Sequence, residues 1–288
     1  MTTADETQSE TPGPPPVDRV EQAERFLALH QGPEPLLIPN AWDGGSAKLL
    51  ISLGFRALAT TSSGFAASLG RLDGHTMDDE ALANAAVIVK AAGTVPVSAD
   101  LENGFADEPS KVRITLLNAL GVGLSGCSIE DYTGRADDPL YDPKFAAERI
   151  EAAVTIAHRG PARMVLTARA ENFIRGRPDL ADTIARLQAY QEAGADVLYA
   201  PGLTSLDDIR SVVTSVDRPV NVLALPNGPT VAGLAEAGVR RISVGGAFAF
   251  AAYGAMIEAA RELRDQGTYG YWARTEIGRS AVKESFGD

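Results

Sequence analysis

The 288 residues are 45% apolar and carry 26 basic against 38 acidic side chains, a formal net charge of −12. That composition suits a folded chain with enough length for one large domain, while the acid excess argues against nucleic acid or an anionic membrane as partner. No apolar run approaches the ~20 residues of a membrane span, so the chain reads as soluble and cytoplasmic.

Residues 1–16 are polar and proline-rich, and they read as a disordered tail. From Val17 to the end, strand and helix patterns alternate as in one domain. A strand at Leu36–Pro39 precedes a helix at Ala47–Leu53. Ala57–Thr60 precedes a helix at Asp79–Ala92, Val95–Asp100 one at Pro109–Leu120, and Leu124–Glu130 one at Pro143–His158. Met164–Arg169 is followed by Leu180–Ala193, Val197–Ala200 by Leu206–Val216, and Val220–Leu225 by Thr230–Ala237. Arg241–Val244 leads into a long segment, Ala249–Gln266, as a C-terminal helical extension. Glycines close several helices just before the next strand, in the stretches SLGF, AAGTVP and EAGADV. Eight such pairs predict parallel strands with crossover helices, a (β/α)8 TIM barrel. A doubly wound sheet is the alternative, weakened by the lack of a GxGxxG after the first strand.

In a barrel the chemistry sits at the C-terminal ends of the strands. Those ends supply Trp42 and Asp43, then Thr61, Ser62 and Ser63, then Asp100 and Glu102, Glu130, Arg169, and Asn221 on the seventh strand. Alternation along a strand places Ser98, Asp100 and Glu102 on one face and Ala99 and Leu101 on the other. Ser128 with Glu130, and Thr167 with Arg169 and Glu171, follow the same parity, which turns Cys127 toward the helices. Three carboxylates at one mouth repel one another unless a cation lies among them or protons are taken up. A hard divalent ion such as Mg2+, with Mn2+ as a substitute, satisfies that need through oxygen ligands, and it lets an acidic protein bind an anionic carboxylate. Arg169 is then placed to clamp a substrate carboxylate. The lone cysteine excludes an intrachain disulfide and a thiolate-rich zinc site, and the three histidines show no metal spacing.

The ordered set NAWD, TTSSGFAASLG, DGH, DLENG, IEDYTG, ARAE and NVLALPNG resembles the isocitrate lyase/phosphoenolpyruvate mutase superfamily from about Leu36 to Gly246. The resemblance implies a barrel whose eighth helix is swapped onto a partner subunit, in a homodimer or homotetramer. It also implies Mg2+ and a 2-oxo-acid or enolate-forming substrate. On that basis Asp100 is the direct metal ligand, Glu102 a longer version of the second acid, and Glu130 a water-mediated ligand. Asp73 is an acid reaching the site from the loop after the second strand. Thr61, Ser62 and Ser63 bind the substrate carboxylate and oxyanion, Arg169 clamps the substrate, and Asn221 is a substrate-side asparagine on the seventh strand.

The segment after Glu130, EDYTGRADDPLYDP, departs from the family pattern. It holds no cysteine, lysine or histidine, and the K-[KR]-C-G-H gating motif of the isocitrate and methylisocitrate lyases is missing. Pro201 stands where those lyases have a glutamate and the mutase a histidine. The enolate-stabilising half of the site is thus legible, which favours C–C cleavage beside a 2-oxo or 2-hydroxy carboxylate, with oxaloacetate decarboxylation first. A P–C bond enzyme, a methylisocitrate lyase and a non-catalytic carboxylate-binding barrel are the alternatives.

Overall fold

The computed structural model describes residues 18–286, and the predicted N-terminal tail lies outside them. The chain opens with α1 (Arg19–Leu29), capped by Asp18, whose side chain accepts from the backbone N–H groups of Val20 and Glu21. The first strand comes in two pieces, β1 (Leu36–Ile38) and β2 (Asn40–Ala41), separated by Pro39. Proline has no N–H to give a sheet, so the ladder breaks there. The pattern then alternates through α2 (Gly44–Ser52), β3 (Leu58–Thr60), α3 (Ser62–Ser68), α4 (Asp78–Ala92), β4 (Val97–Asp100), α5 (Pro109–Gly121) and β5 (Gly126–Glu130). It continues with α6 (Pro143–Ala157), β6 (Val165–Arg169), α7 (Leu180–Glu192), β7 (Val197–Tyr199), α8 (Leu206–Thr214), β8 (Val220–Leu223), α9 (Val231–Glu236) and β9 (Arg241–Ser243). Two more helices, α10 (Ala247–Gln266) and α11 (Trp272–Phe286), complete the described chain.

All sheet pairings are parallel, and each strand from β2 to β9 bonds to the next. At the seam β9 bonds β1, with Leu36 opposite Arg241, while Pro39 still accepts from the Ala59 N–H at 2.9 Å. The two pieces of the first strand therefore close a (β/α)8 barrel. Every strand lies inside its predicted run except β2, which carries the first strand past its predicted end at Pro39. The predicted run from Val95 becomes β4 only at Val97, because Pro96 has no N–H to give, although its carbonyl accepts from the Leu58 N–H at 3.0 Å.

Strand parity sorts the core into two bodies. Ala99, Leu101, Cys127, Ile129, Leu166, Ala168, Leu198, Val222 and Ile242 pack outward against the helices. A smaller cluster of Leu36, Ile38, Ala57, Ala59, Val165 and Val197 fills the barrel's lower interior around Phe26. Phe26 enters from α1, so this helix plugs the N-terminal end of the barrel. The plug requires Gly126, where a Cβ would stand 2.7 Å from the Phe26 ring and 2.8 Å from the Val165 carbonyl oxygen. Above the plug the interior turns polar, with Ser98, Ser128, Thr167, Asn221, Arg241 and Ser243 all buried.

The C-terminal helices behave differently from the rest. In α10 only Ala249 is buried, while Phe250, Met256, Ile257 and Leu263 are exposed. Helix α11 buries nothing and leaves Trp272 and Ile277 open, although its end returns to α2, where the Lys48 ammonium stands 5.5 Å from the centre of the Phe286 ring. Among the described residues no helix is long and apolar enough to cross a membrane.

His30, at the end of α1, is buried, and its Nδ1 lies 2.8 Å from the Phe26 carbonyl. Burial, reinforced by Arg241, lowers its pKa from 6.5 to about 3. Below pH 6.5 the unfolded chain takes up a proton here that the folded chain refuses until near pH 3. Stability should therefore fall with acid across that window, with a limiting slope of about 1.36 kcal/mol per pH unit from this group. Urea unfolding of wild type and His30→Gln at pH 7 and pH 5 checks this, and the substitution is expected to flatten the loss.

Candidate active site

Four strand ends and the turns after them build the upper end of the barrel. Asp100 closes β4, its N–H held by Thr60 Oγ1 at 2.9 Å. One of its carboxylate oxygens accepts from the Ser62 hydroxyl at 2.9 Å and the Ser62 N–H at 3.2 Å. The other accepts from Arg169 Nη1 at 2.9 Å. Arg169 ends β6 and reaches two further acids: its Nη2 lies 3.0 Å from Glu130 and 2.8 Å from Glu171, and its Nε donates to Glu171 at 3.0 Å. Arg175, in the turn after β6, pairs with Glu171 at 3.2 Å and Glu130 at 3.6 Å while its guanidinium stacks 3.5 Å over the Tyr132 ring.

The turn after β4 is held in an uncommon shape. Glu102 (φ 49°) and Phe105 (φ 53°) are the positive-φ residues other than glycine among those described. Side chains crowd the backbone there, and such conformations persist only where the surroundings enforce them. Arg149, buried on α6 and lying 4.2 Å over Tyr141, supplies the restraint. Its guanidinium donates to the carbonyls of Asn103, Ala106, Asp107 and Glu130. Beneath Glu130, Asp131 is fixed by Arg186 at 2.9 Å and the Tyr190 hydroxyl at 2.6 Å, and it accepts the Glu171 N–H at 2.8 Å.

Charge sets the character of the mouth. Asp73, Asp100, Glu102, Glu130 and Glu171 face the two guanidinia of Arg169 and Arg175. Burial raises the Glu102 pKa to about 7, with Asp100 and Asp73 adding to the shift. Burial and then Glu171 hold Glu130 well above the carboxylate range. For Arg169 burial opposes the charge, but Glu171, Glu130 and Asp100 outweigh it and raise its pKa.

Two connected spaces open here. An inner cavity of about 180 Å3 runs down the barrel past Ser62, Asp100, Arg169, Tyr199 and Asn221. An outer one of about 340 Å3 is lined by Asp73, Glu102, Glu130, Tyr132 and Arg175. Asp100, Glu102, Glu130, Arg169, Asp73, Thr61, Ser62, Ser63 and Asn221 are thus brought together. Trp42 and Asp43 line neither cavity: Asp43 caps α2 by accepting the Ser46 N–H at 2.7 Å. Thr61 likewise caps α3, a short helix where a loop is the sequence reading. The sequence reading missed Arg175 and Arg149. Asn172 to Gly176 has the look of a polar turn, and Arg149 of an exposed helix position.

Among the described residues no three His, Cys, Asp or Glu side chains form a ready cage for a metal. The donor chemistry nevertheless fits a hard divalent cation. The available groups are all carboxylate oxygens, their charge exceeds that of the arginines, and Mg2+ retains most of its own waters. Asp100 would be the nearest ligand, with Glu102 and Glu130 acting through water.

The sequence pattern of phosphoenolpyruvate phosphomutase matches residues 26–264. The chain belongs to that family. It is similar to a solved Burkholderia cenocepacia J2315 protein provisionally described as a lyase/mutase, at 50% identity and a TM-score of 0.85 over 88% of this chain and 91% of that one. The solved oxaloacetate acetylhydrolase with its product oxalate is 27% identical, with a TM-score of 0.80 over 87% of this chain and 89% of that one. The 2-methylisocitrate lyase of Halalkalibacterium halodurans is 27% identical over 79% of this chain and 77% of the relative. The chain is thus an enzyme of the isocitrate lyase/phosphoenolpyruvate mutase superfamily, whose members include lyases, hydrolases and mutases.

Arg169 stabilises three carboxylates, one of them fully buried. Arg169→Met should cost about 3–5 kcal/mol in urea unfolding, because Glu171 loses its main counter-charge. Adding Glu171→Gln to that variant should recover part of the loss.

Proposed function

We propose that the chain is a divalent-metal-dependent lyase that cleaves a C–C bond beside a 2-oxo or 2-hydroxy carboxylate, with oxaloacetate decarboxylation the favoured reaction. The observation that carries this reading is the acid-rich mouth, where burial, with Asp100 and Asp73 beside it, pushes Glu102 to about 7. Such a site gains from a bound cation and then attracts an anionic substrate. Bound Mg2+, or Mn2+ in its place, would supply Lewis-acid stabilisation of the negative charge that develops beside the substrate carboxylate. Asp100, Glu102 and Glu130 would hold the ion.

Arg169 orients the substrate carboxylate while staying tied to Glu171. Thr61, Ser62 and Ser63 line the same cavity and would receive the anionic end of the substrate, with the Ser62 hydroxyl donating to Asp100 and the Thr61 and Ser63 hydroxyls 3.1 Å apart, while Asn221 lines the cavity from β8. Tyr132 lines the outer cavity next to the acids and offers an O–H that can return a proton to the enolate carbon. Cys127 takes no part: it is buried among helix-facing residues, and burial pushes its thiol up to about 12. That position, with no cysteine, lysine or histidine in residues 131–142, favours decarboxylation over the methylisocitrate lyase and P–C bond alternatives. The exposed apolar side chains of α10 and α11 favour a homodimer or homotetramer joined through these helices.

Calorimetric titration of wild type with Mg2+ should show binding, and Asp100→Ala should abolish it. Glu102→Gln and Glu130→Gln should weaken it about 10–100-fold. Oxaloacetate turnover should vanish with EDTA. No divalent binding by wild type, or binding of oxaloacetate, methylisocitrate and phosphonopyruvate without turnover, would remove the lyase reading. For assembly, light scattering should give a dimer or tetramer, and Phe250→Lys with Ile277→Lys should shift it toward monomer.

A further inference from the structure

Among the described residues Arg241 is a buried cation without a counter-charge. It starts β9, points into the barrel and is 4% exposed. Its Nη1 donates to Thr167 Oγ1 at 2.9 Å and its Nη2 to Ser98 Oγ at 3.5 Å, and its Nε has no partner. Among the described residues no carboxylate lies within ion-pair distance of it. Burial accordingly lowers its pKa to about 10, an unusual value for a guanidinium.

Isolated buried charges are costly, and proteins keep them paired or neutralise them. Among the described residues the other buried arginines are better satisfied, Arg186 by Asp131 and Arg149 by four carbonyls, and the partly buried Arg169 has three acids. Arg241 lines the inner cavity instead. Beside it Asn221, 1% exposed, donates its amide to Ser243 Oγ at 3.1 Å while its Oδ1 is unpartnered. Ser98 and Thr167, the residues that hold Arg241, sit two positions below Asp100 and Arg169 on their strands. That offset is about 6.6 Å along a strand, less along the tilted barrel axis. The cavity connects the two levels.

We propose that Arg241 forms a second anion subsite in the barrel interior, which receives the distal carboxylate of a short dicarboxylate whose 2-oxo-acid end lies at Asp100 and Arg169. This inference rests on the proposed lyase function and narrows its substrates to diacids. A four- or five-carbon chain spans the two levels. A monocarboxylate fills only the upper one and leaves the guanidinium unpaired. Arg241 is then a specificity-determining residue, acting on the end of the substrate where no bond changes.

Calorimetry with Mg2+ present tests it, comparing pyruvate with 3,3-difluorooxaloacetate in wild type, Arg241→Lys and Arg241→Met. Wild type should bind the diacid at least tenfold more tightly than pyruvate. Arg241→Met should bring the diacid down to the pyruvate level with pyruvate affinity unchanged, and Arg241→Lys should retain part of the preference. Without ligand the melting temperature of Arg241→Met should hold or rise, because an unpaired buried charge is removed. Equal binding of both acids by wild type, or an unchanged preference in Arg241→Met, overturns the subsite and leaves the lyase reading intact. A fall in melting temperature with loss of pyruvate binding marks Arg241 as structural and also overturns it. Binding of neither acid by wild type overturns the subsite and the lyase reading together.

Discussion

The guanidinium of Arg169 is the contact on which the mouth of this barrel depends. It bonds Asp100, Glu130 and Glu171 at once, from three directions that only a planar fork can serve. Adjacent parallel strands bring these acids within reach, with Asp100 opposite Ser128 and Glu130 opposite Arg169 in the register. Without the central cation, the same register would bury mutually repelling charges. Asp131, Arg186 and Tyr190 hold the floor beneath them, and Arg149 fixes the rim.

Along its axis the barrel passes from apolar to polar to charged. Phe26 and its aliphatic neighbours seal the lower end, hydroxyl and amide groups form the middle, and ionised groups crowd the top. The sealed end keeps water from entering from below. Polar middle positions sacrifice packing stability that aliphatic side chains would give. Their burial makes sense where a polar ligand reaches them.

Much of this was legible in the residues. Eight alternations gave the barrel, and strand parity alone pointed Ser98 and Asp100 inward and Cys127 outward. Period-two reasoning works there because each strand has one face on the helices and one on the axis. It says little where the backbone stops being regular. Glu102 lies past the last residue of β4, in a left-handed conformation that parity does not describe. Arg175 reaches the site from a turn. Arg149 reads as a solvated helix residue, since nothing in its own helix reveals the carbonyls waiting 40-odd positions away in the turn after β4. Arg240 and Arg241 are adjacent in the sequence, yet Arg240 bonds the Gly32 and Pro33 carbonyls at the chain's edge while Arg241 turns inward. The docking of α1 under the barrel depends on tertiary contacts that no local pattern carries.

The position of Cys127 also sets the protein's response to oxidants. A thiol is attacked as its thiolate and where reagents can reach it. Here the chain's one sulfhydryl is sealed behind the helices with its ionisation suppressed, and carboxylates, arginines and hydroxyls surround the cavity. Cellular redox state therefore has no cysteine through which to switch this site on or off.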